Sequence, residues 1–263
     1  MTRVLSALLL IPLVLGTVWF LPPVATLALA ALAAVLSCFE YATIAAALGI
    51  ALPRLLTAAA VVAACLAVGD GRVALDVAML AALVAIGTGA VAAGSPGRDV
   101  LPRVAAALFA VVYLGVPLGA IAAIRTIGGR EAVLLLMATI VVSDSAQYYT
   151  GRAFGRSPLA PSISPKKTRE GAIGGVVFGS AAFIAGSRYI FPAASPIVLV
   201  VTAFAVVLAG IVGDLFESLL KRSAGVKDSS ALIPGHGGIL DRIDSWLFAG
   251  PVFYVFVRYL QAP

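Results

Sequence analysis

Charge is scarce in this chain. Only 11% of its 263 residues are Asp, Glu, Lys or Arg, against about a quarter in a soluble domain. Apolar side chains make up 62%, more than a water-facing fold of this size needs for its core, so much of that surface must face lipid. Soluble enzymes are thereby excluded. Nucleic acid is not an expected partner despite the formal charge of +6, because the basic residues sit in short segments between apolar runs. There they set membrane orientation and meet anionic headgroups. Cysteine is nearly absent. Cys38 and Cys65 lie in separate apolar runs and read as small buried hydrophobes, not as a disulfide framework. The single histidine, His236, is too few for a zinc site with those cysteines so distant. Lys167-Thr168 is like the end of a phosphate-binding P-loop, but the glycines such a loop needs upstream are missing.

Long apolar stretches are plentiful. They predict helices near 4–21, 24–48, 54–69, 73–93, 104–124, 131–150, 170–190, 196–221 and 245–261, each near the ~20 residues a bilayer requires. Pro22-Pro23, Pro53, Asp70-Gly71, Ser95-Pro96-Gly97, Gly128-Gly129 and Phe191-Pro192 separate most of them. The expected fold is all-α: a polytopic integral membrane protein of about nine transmembrane helices. Residues 1–130 hold about five of these helices, and 131–263 form a catalytic region with two polar loops, 151–169 and 222–244. The first helix is expected to stay uncleaved rather than to act as a signal peptide. Alternating the spans puts thirteen of the eighteen Lys and Arg residues on the side of the N-terminus, which makes that side cytoplasmic. Nine of the thirteen belong in or beside the two polar loops; without them the sorting is neutral. Both loops fall on that side, so they are expected to build one cytoplasm-facing site in a cell inner (plasma) membrane. Gly171, Gly175 and Gly179, with Gly174 beside them, form a small-residue stripe. It suits close packing inside the chain, or the seam of a homodimer.

The few charges are not scattered. Lys221, Arg222, Lys227, Asp228, His236, Asp241, Arg242 and Asp244 crowd into one glycine-containing stretch. Both signs beside flexible Gly235, Gly237 and Gly238 suit phosphates and a divalent metal. Asp144, about 20 Å along the sixth stretch, lies in IVVSDSAQYY, where a carboxylate is costly enough that function is the default reading. A structural partner for a buried arginine or hydroxyl is the alternative. Glu40 invites the same argument but stands in no motif, and both readings stay open for it. Asp214, Glu217, Ser218 and Lys221 follow one helical stripe, whose plainer reading is a ladder of interfacial ion pairs. Asp241 and Asp244, three apart at a helix start, offer hard oxygens for magnesium, or simply cap the helix. His236 is read as a phosphate contact before a proton donor, beside Gly237 and Gly238, whose backbone N–H groups can approach an anion. Lys166, Lys167 and Arg169 precede the seventh stretch and either bind phosphate or anchor a helix end at the lipid surface.

These residues carry a resemblance. The run Ser218, Lys221, Arg222, Lys227, Asp228, Pro234, His236, Gly237, Gly238, Asp241, Arg242 and Asp244 is similar to the signature of the phosphatidate cytidylyltransferases, also called CDP-diacylglycerol synthases. SDSAQYYTGRAFGR at 143–156 and SPKKTREG at 164–171 resemble that family too. The resemblance covers the C-terminal half; the first 130 residues are generic membrane helix. It implies that CTP and phosphatidic acid give CDP-diacylglycerol and pyrophosphate, with Mg2+ or another divalent cation required and a second metal ion possible. It implies metal binding by Asp214 and Asp241 with Asp144 and Asp244 close by, catalytic work by Asp214, Asp241, Asp244, Lys227 and Asp228, and substrate binding by Lys166, Lys167, Ser218, Lys221, Arg222, His236, Gly237, Gly238 and Arg242. Three other readings compete. A related CTP-dependent enzyme could use another lipid acceptor. A secondary transporter could use Asp144 and Asp214 as an ion path, but has no need of the basic loops. A CDP-alcohol phosphotransferase would carry Asp-Gly-x-x-Ala-Arg, which this chain lacks.

Overall fold

The computed structural model describes residues 2–94, 96–233 and 237–260. Apolar runs become helices in chain order: α1 (Thr2–Phe20), α2 (Pro23–Ala47), α3 (Arg54–Asp70), α4 (Leu75–Ala92), α5 (Val100–Ala110), a π-helical turn (Val111–Gly115), α6 (Val116–Ile127) and α7 (Gly129–Phe154). Two short strands follow, β1 (Pro158–Ala160) and β2 (Ser164–Thr168), and then α8 (Arg169–Ile190), α9 (Pro196–Ser223) and α10 (Leu240–Leu260). Among the described residues, six helices are long and apolar enough to cross a membrane: α2, α4, the continuous Val100–Ile127, α7, α8 and α9. Their outward faces are oily, with Val91 80% and Leu101 77% exposed, as a lipid-facing helix surface must be. The chain is an all-α, multi-pass membrane protein. One local departure from the all-helical expectation is the antiparallel β1–β2 hairpin, which pairs Pro158 with Thr168 and Ala160 with Ser164.

The chain divides into two compact units. One comprises the chain up to Ala123 together with Leu220–Ile243; the other comprises Ile124–Leu219 together with the chain from Asp244. A single line drawn at residue 130 does not anticipate the grouping of 220–243 with the N-terminal helices.

Within the first unit, helices pack by backbone proximity. A Cβ on Gly115 would lie 2.5 Å from the Val61 carbonyl oxygen, and one on Gly119 would lie 2.5 Å from that of Cys65. Both pairs are four residues apart, so a small-residue face on the π turn and α6 meets α3 one turn at a time. Cys38 and Cys65 are free and buried. Tyr41 donates to the Ala106 carbonyl at 3.2 Å, and Phe109 stacks on Tyr113 with ring centroids 5.3 Å apart.

Within the second unit, the α8 glycine stripe meets α7. A Cβ on Gly171 would lie 2.8 Å from the Gln147 carbonyl oxygen, and one on Gly179 would lie 2.8 Å from the Ser143 side chain. The stripe therefore packs inside the chain, the first of the two roles expected for it. Phe183, Phe253 and Phe256 form an aromatic core, with Phe183 edge-on to Phe253 at 5.5 Å and Phe253 stacked on Phe256 at 5.8 Å.

Candidate functional site

In the second unit the hairpin delivers a lysine to two carboxylates. The Thr168 side chain caps α8, accepting from Gly171 N at 3.1 Å. Glu170 Oε2 accepts from the backbone N–H groups of Arg156 at 3.1 Å and Ser157 at 3.2 Å, which ties the end of α7 to the start of α8. With both ends fixed, strand alternation sends adjacent lysines to opposite faces. Lys166 is exposed, whereas Lys167 Nζ forms an ion pair with Asp214 Oδ2 of α9. Those two side chains are 23% and 26% exposed, sheltered enough that their attraction is less screened than at an open surface. Asp144, on α7, feels the like charge of Asp214 and the opposite charge of Lys167. Gln147 Nε2 donates to Asp144 Oδ1 at 3.0 Å. Among the described residues, Asp144 Oδ2 and Asp214 Oδ1 have no protein donor. Ser218 lies one turn beyond Asp214 on α9 and is partly exposed, and Glu217 is fully buried.

In the first unit a second acid–lysine pair sits at the start of α10. Lys221 Nζ donates to Asp241 Oδ1 at 2.5 Å, and their side chains are 10% and 6% exposed. Asp241 Oδ2 accepts from Ser229 N at 2.9 Å, Ser229 Oγ at 2.8 Å and Gly238 N at 2.8 Å. The Lys221 ammonium and the donors of Gly238 and Ser229 compensate the carboxylate for its burial. Gly237 adopts φ +79°, a region that only glycine enters readily. A Cβ there would also lie 2.6 Å from Asp241 Oδ2. The glycine N–H groups were expected to meet a foreign anion; that of Gly238 meets the protein's own Asp241.

Glu40 of α2 belongs to this cluster. It accepts from Ser230 Oγ at 2.6 Å and Ile239 N at 3.0 Å on Oε1, and from Leu240 N at 2.7 Å and Ser229 Oγ at 3.1 Å on Oε2. The Ser229 hydroxyl reaches both Glu40 and Asp241 with one proton to donate. A Cβ on Gly238 would collide with Ser229 Oγ and both Glu40 carboxylate oxygens. Nearby, Arg222 Nη1 donates to the Val226 carbonyl at 3.1 Å. Lys227, Asp228 and Arg242 are exposed. Asp244 Oδ1 accepts from Ser245 N at 2.7 Å. Pro234, Gly235 and His236 lie outside the described residues.

The structure thus groups Asp144, Lys167 and Asp214 in one unit and Lys221, Gly237, Gly238 and Asp241 in the other. Sequence reasoning missed Gln147, Ser229 and Ser230 and gave Glu40 no place. Gln147 was findable, since it sits three residues after Asp144 on a helix; the two serines fall in the variable part of the signature and carried no signal. Among the described residues, no group of three or more His, Cys, Asp or Glu could hold a metal by itself. The open oxygens of Asp144 and Asp214 fit a cation that takes one or two carboxylates and fills its other positions with water and phosphate, as magnesium does. Lys221 engages Asp241 Oδ1, so a cation at Asp241 would compete with that ammonium.

The profile described as the cytidylyltransferase family matches residues 1–260. The chain belongs to that family. Curated relatives of the cytidylyltransferase include an uncharacterized protein, YnbB, of Escherichia coli, 44% identical over 135 residues, which are 50% of this chain and 44% of the relative. Phosphatidate cytidylyltransferase 5, chloroplastic, of Arabidopsis thaliana is 50% identical over 133 residues, 49% of this chain and 32% of the relative. The phosphatidate cytidylyltransferase of Haemophilus influenzae is 45% identical over 132 residues, 47% of this chain and 45% of the relative. The matched part of the chain thus spans less than half the length of each of these three relatives.

Proposed function

We propose that this cytidylyltransferase transfers the cytidylyl group of CTP to phosphatidic acid, forming CDP-diacylglycerol and releasing pyrophosphate. The observation that carries the reading is the meeting of Asp144, Lys167 and Asp214, drawn from α7, β2 and α9. Relatives named phosphatidate cytidylyltransferase support the choice of substrates.

An oxygen of the lipid phosphate attacks the α-phosphorus of CTP. A P–O bond forms there as the bond to the β-phosphate oxygen breaks, and pyrophosphate leaves with that electron pair. A phosphate monoester is already largely dianionic at pH 7, so no side chain has to remove a proton. The obstacle is an anion approaching a polyanion, and lowering it is a matter of cations and alignment. Magnesium, when bound, supplies neutralisation of the nucleotide's phosphates, and Asp144 and Asp214 would hold it. Lys167 supplies a fixed positive charge beside them. Lys221, Arg222, Lys227 and Arg242 serve phosphate binding, with Lys166 and Ser218 in support. Asp241 holds Ser229 and Gly238, beside Asp228 and Gly237, and Asp244 follows on the same helix; His236 serves as a phosphate contact. Were a second metal ion bound, Asp241 would be the acid to hold it, in competition with Lys221.

The reading extends to topology. Counting α1, α3 and α10 with the six membrane-length helices gives nine crossings. The excess of Lys and Arg on the side of the N-terminus makes that side cytoplasmic, and the site opens there, where CTP is made. The test is an assay of purified protein with labelled CTP, phosphatidic acid and magnesium. Labelled CDP-diacylglycerol should form, and a chelator should abolish it. Turnover only with another lipid acceptor, or none with any, would overturn the reading.

A further inference from the structure

Glu40 is an acid in an apolar helix, buried to 5% exposure. At 1.5 Å per residue it lies about 10 Å from the C-terminal end of α2. A carboxylate there is costly unless charge and hydrogen bonds compensate. Four donors lie in reach: the backbone N–H groups of Ile239 and Leu240 and the hydroxyls of Ser230 and Ser229, the last shared with Asp241. Every one of them comes from Ser229–Leu240, about 190 residues later in the chain. Ile239 immediately precedes α10 and Leu240 opens it, where backbone N–H groups have no intrahelical acceptor, so Glu40 caps α10 from another helix. Ser229, held by Glu40, is also the residue whose N–H and hydroxyl reach Asp241. Gly238 leaves room for both acids, and its N–H completes the set on Asp241.

We infer that Glu40 is the positioning residue of the cytidylyl-transfer loop: it fixes Ser229, Ser230, Ile239 and Leu240 so that Asp241 and Lys221 stand ready for substrate. It touches neither CTP nor lipid. The inference rests on the nucleotide-transfer reading above for its kinetic consequence, and on the hydrogen bonds alone for its structural one.

Glu40→Gln separates the two. An amide keeps one acceptor but turns an NH2 toward donors, and backbone N–H groups cannot reorient. The expected result is a fall in kcat of about 10- to 100-fold, as for residues that orient others at a site. The KM for phosphatidic acid should stay unchanged, and amide hydrogen exchange should quicken in residues 229–233 and 237–241 while α7 and α8 keep their protection. Glu40→Asp should recover part of the rate. Should Glu40→Gln fail to fold, the double variant Ser229→Ala, Ser230→Ala removes two of the four donors and should show the same local exchange with a smaller rate loss. Wild-type kcat in either variant, or faster exchange spread evenly over all helices, overturns the proposal. If the wild-type protein makes no CDP-diacylglycerol, the catalytic reading fails by itself. The exchange comparison then still decides whether Glu40 holds the loop.

Discussion

Lys166 and Lys167 are neighbours in sequence, yet only Lys167 meets Asp214. Their difference is set by strand alternation, which the sequence concealed because the strand carries Pro165 and two like charges and does not read as one. The carboxylates were easier to find. Asp144 and Asp214 interrupt apolar helices, and a charge in such a place needs a reason. If Asp214 serves both Lys167 and a bound cation, Asp214→Asn should lower turnover by about a hundredfold or more, on the scale of lost electrostatic stabilisation. Lys167→Met should cost about as much as loss of one such donor, while Lys166→Met should cost less than about twofold. Steady-state rates of the three proteins at saturating CTP check this; equal losses for both lysines would remove the distinction. Gly238 gives a second test at this scale. Its missing Cβ is the space that the Glu40 and Ser229 oxygens fill, so Gly238→Ala should displace both acids' partners and reduce activity as severely as Glu40→Gln. Gly225 differs: its absent Cβ would meet nothing within 4 Å, and what keeps a glycine there is its φ of +70°.

The helices were legible at the scale of the element because their periodicity was not needed: runs of apolar residues of membrane length suffice. What the runs could not show was which faces touch. Gly171, Gly175 and Gly179 announced a close contact but not its partner, which is α7. Gly115 and Gly119 announced nothing, because valine and proline neighbours made GVPLG look like ordinary composition. In lipid, apolar burial gives little preference for one helix face over another, so van der Waals contact between closely approaching backbones carries the packing. Gly115→Leu should therefore be destabilising, since a side chain there would drive into the Val61 backbone at 2.5 Å. The expected cost is about 1–3 kcal/mol or more, as for overpacked cores, read as a lower unfolding temperature in detergent. Gly16→Leu, at a position whose Cβ would meet nothing within 4 Å, should leave that temperature unchanged. The hairpin has its own weak point. Thr168→Ala removes the α8 cap, worth about 1 kcal/mol, and should loosen the strand that carries Lys167.

At the scale of the whole molecule, the linear order of the chain misleads. A division at residue 130 follows the change from generic apolar helix to motif-bearing sequence, but Leu220–Ile243 groups with the N-terminal helices, and Glu40 supplies the physical reason. A lone acid in an alanine-rich helix carries no register that could name a loop 190 residues away, so that link had to be seen. Orientation, in contrast, is a matter of summed charge and is open to direct measurement. Cys38 and Cys65 are 1% and 0% exposed, which makes a membrane-impermeant maleimide blind to the unaltered protein. Single cysteines introduced as Lys166→Cys and Lys227→Cys replace exposed residues in the two polar segments whose basic residues dominate the charge sorting. Arg72→Cys, after α3, and Arg130→Cys, at the start of α7, probe the other side of the predicted alternation. In right-side-out vesicles the first pair should label only after permeabilisation and the second pair without it; in inverted vesicles the pattern should reverse. Labelling of Lys166→Cys from outside would place that hairpin away from cytoplasmic CTP. The positive charge of the two loops would then have to be explained by phosphate binding alone, since it could not also be setting the orientation.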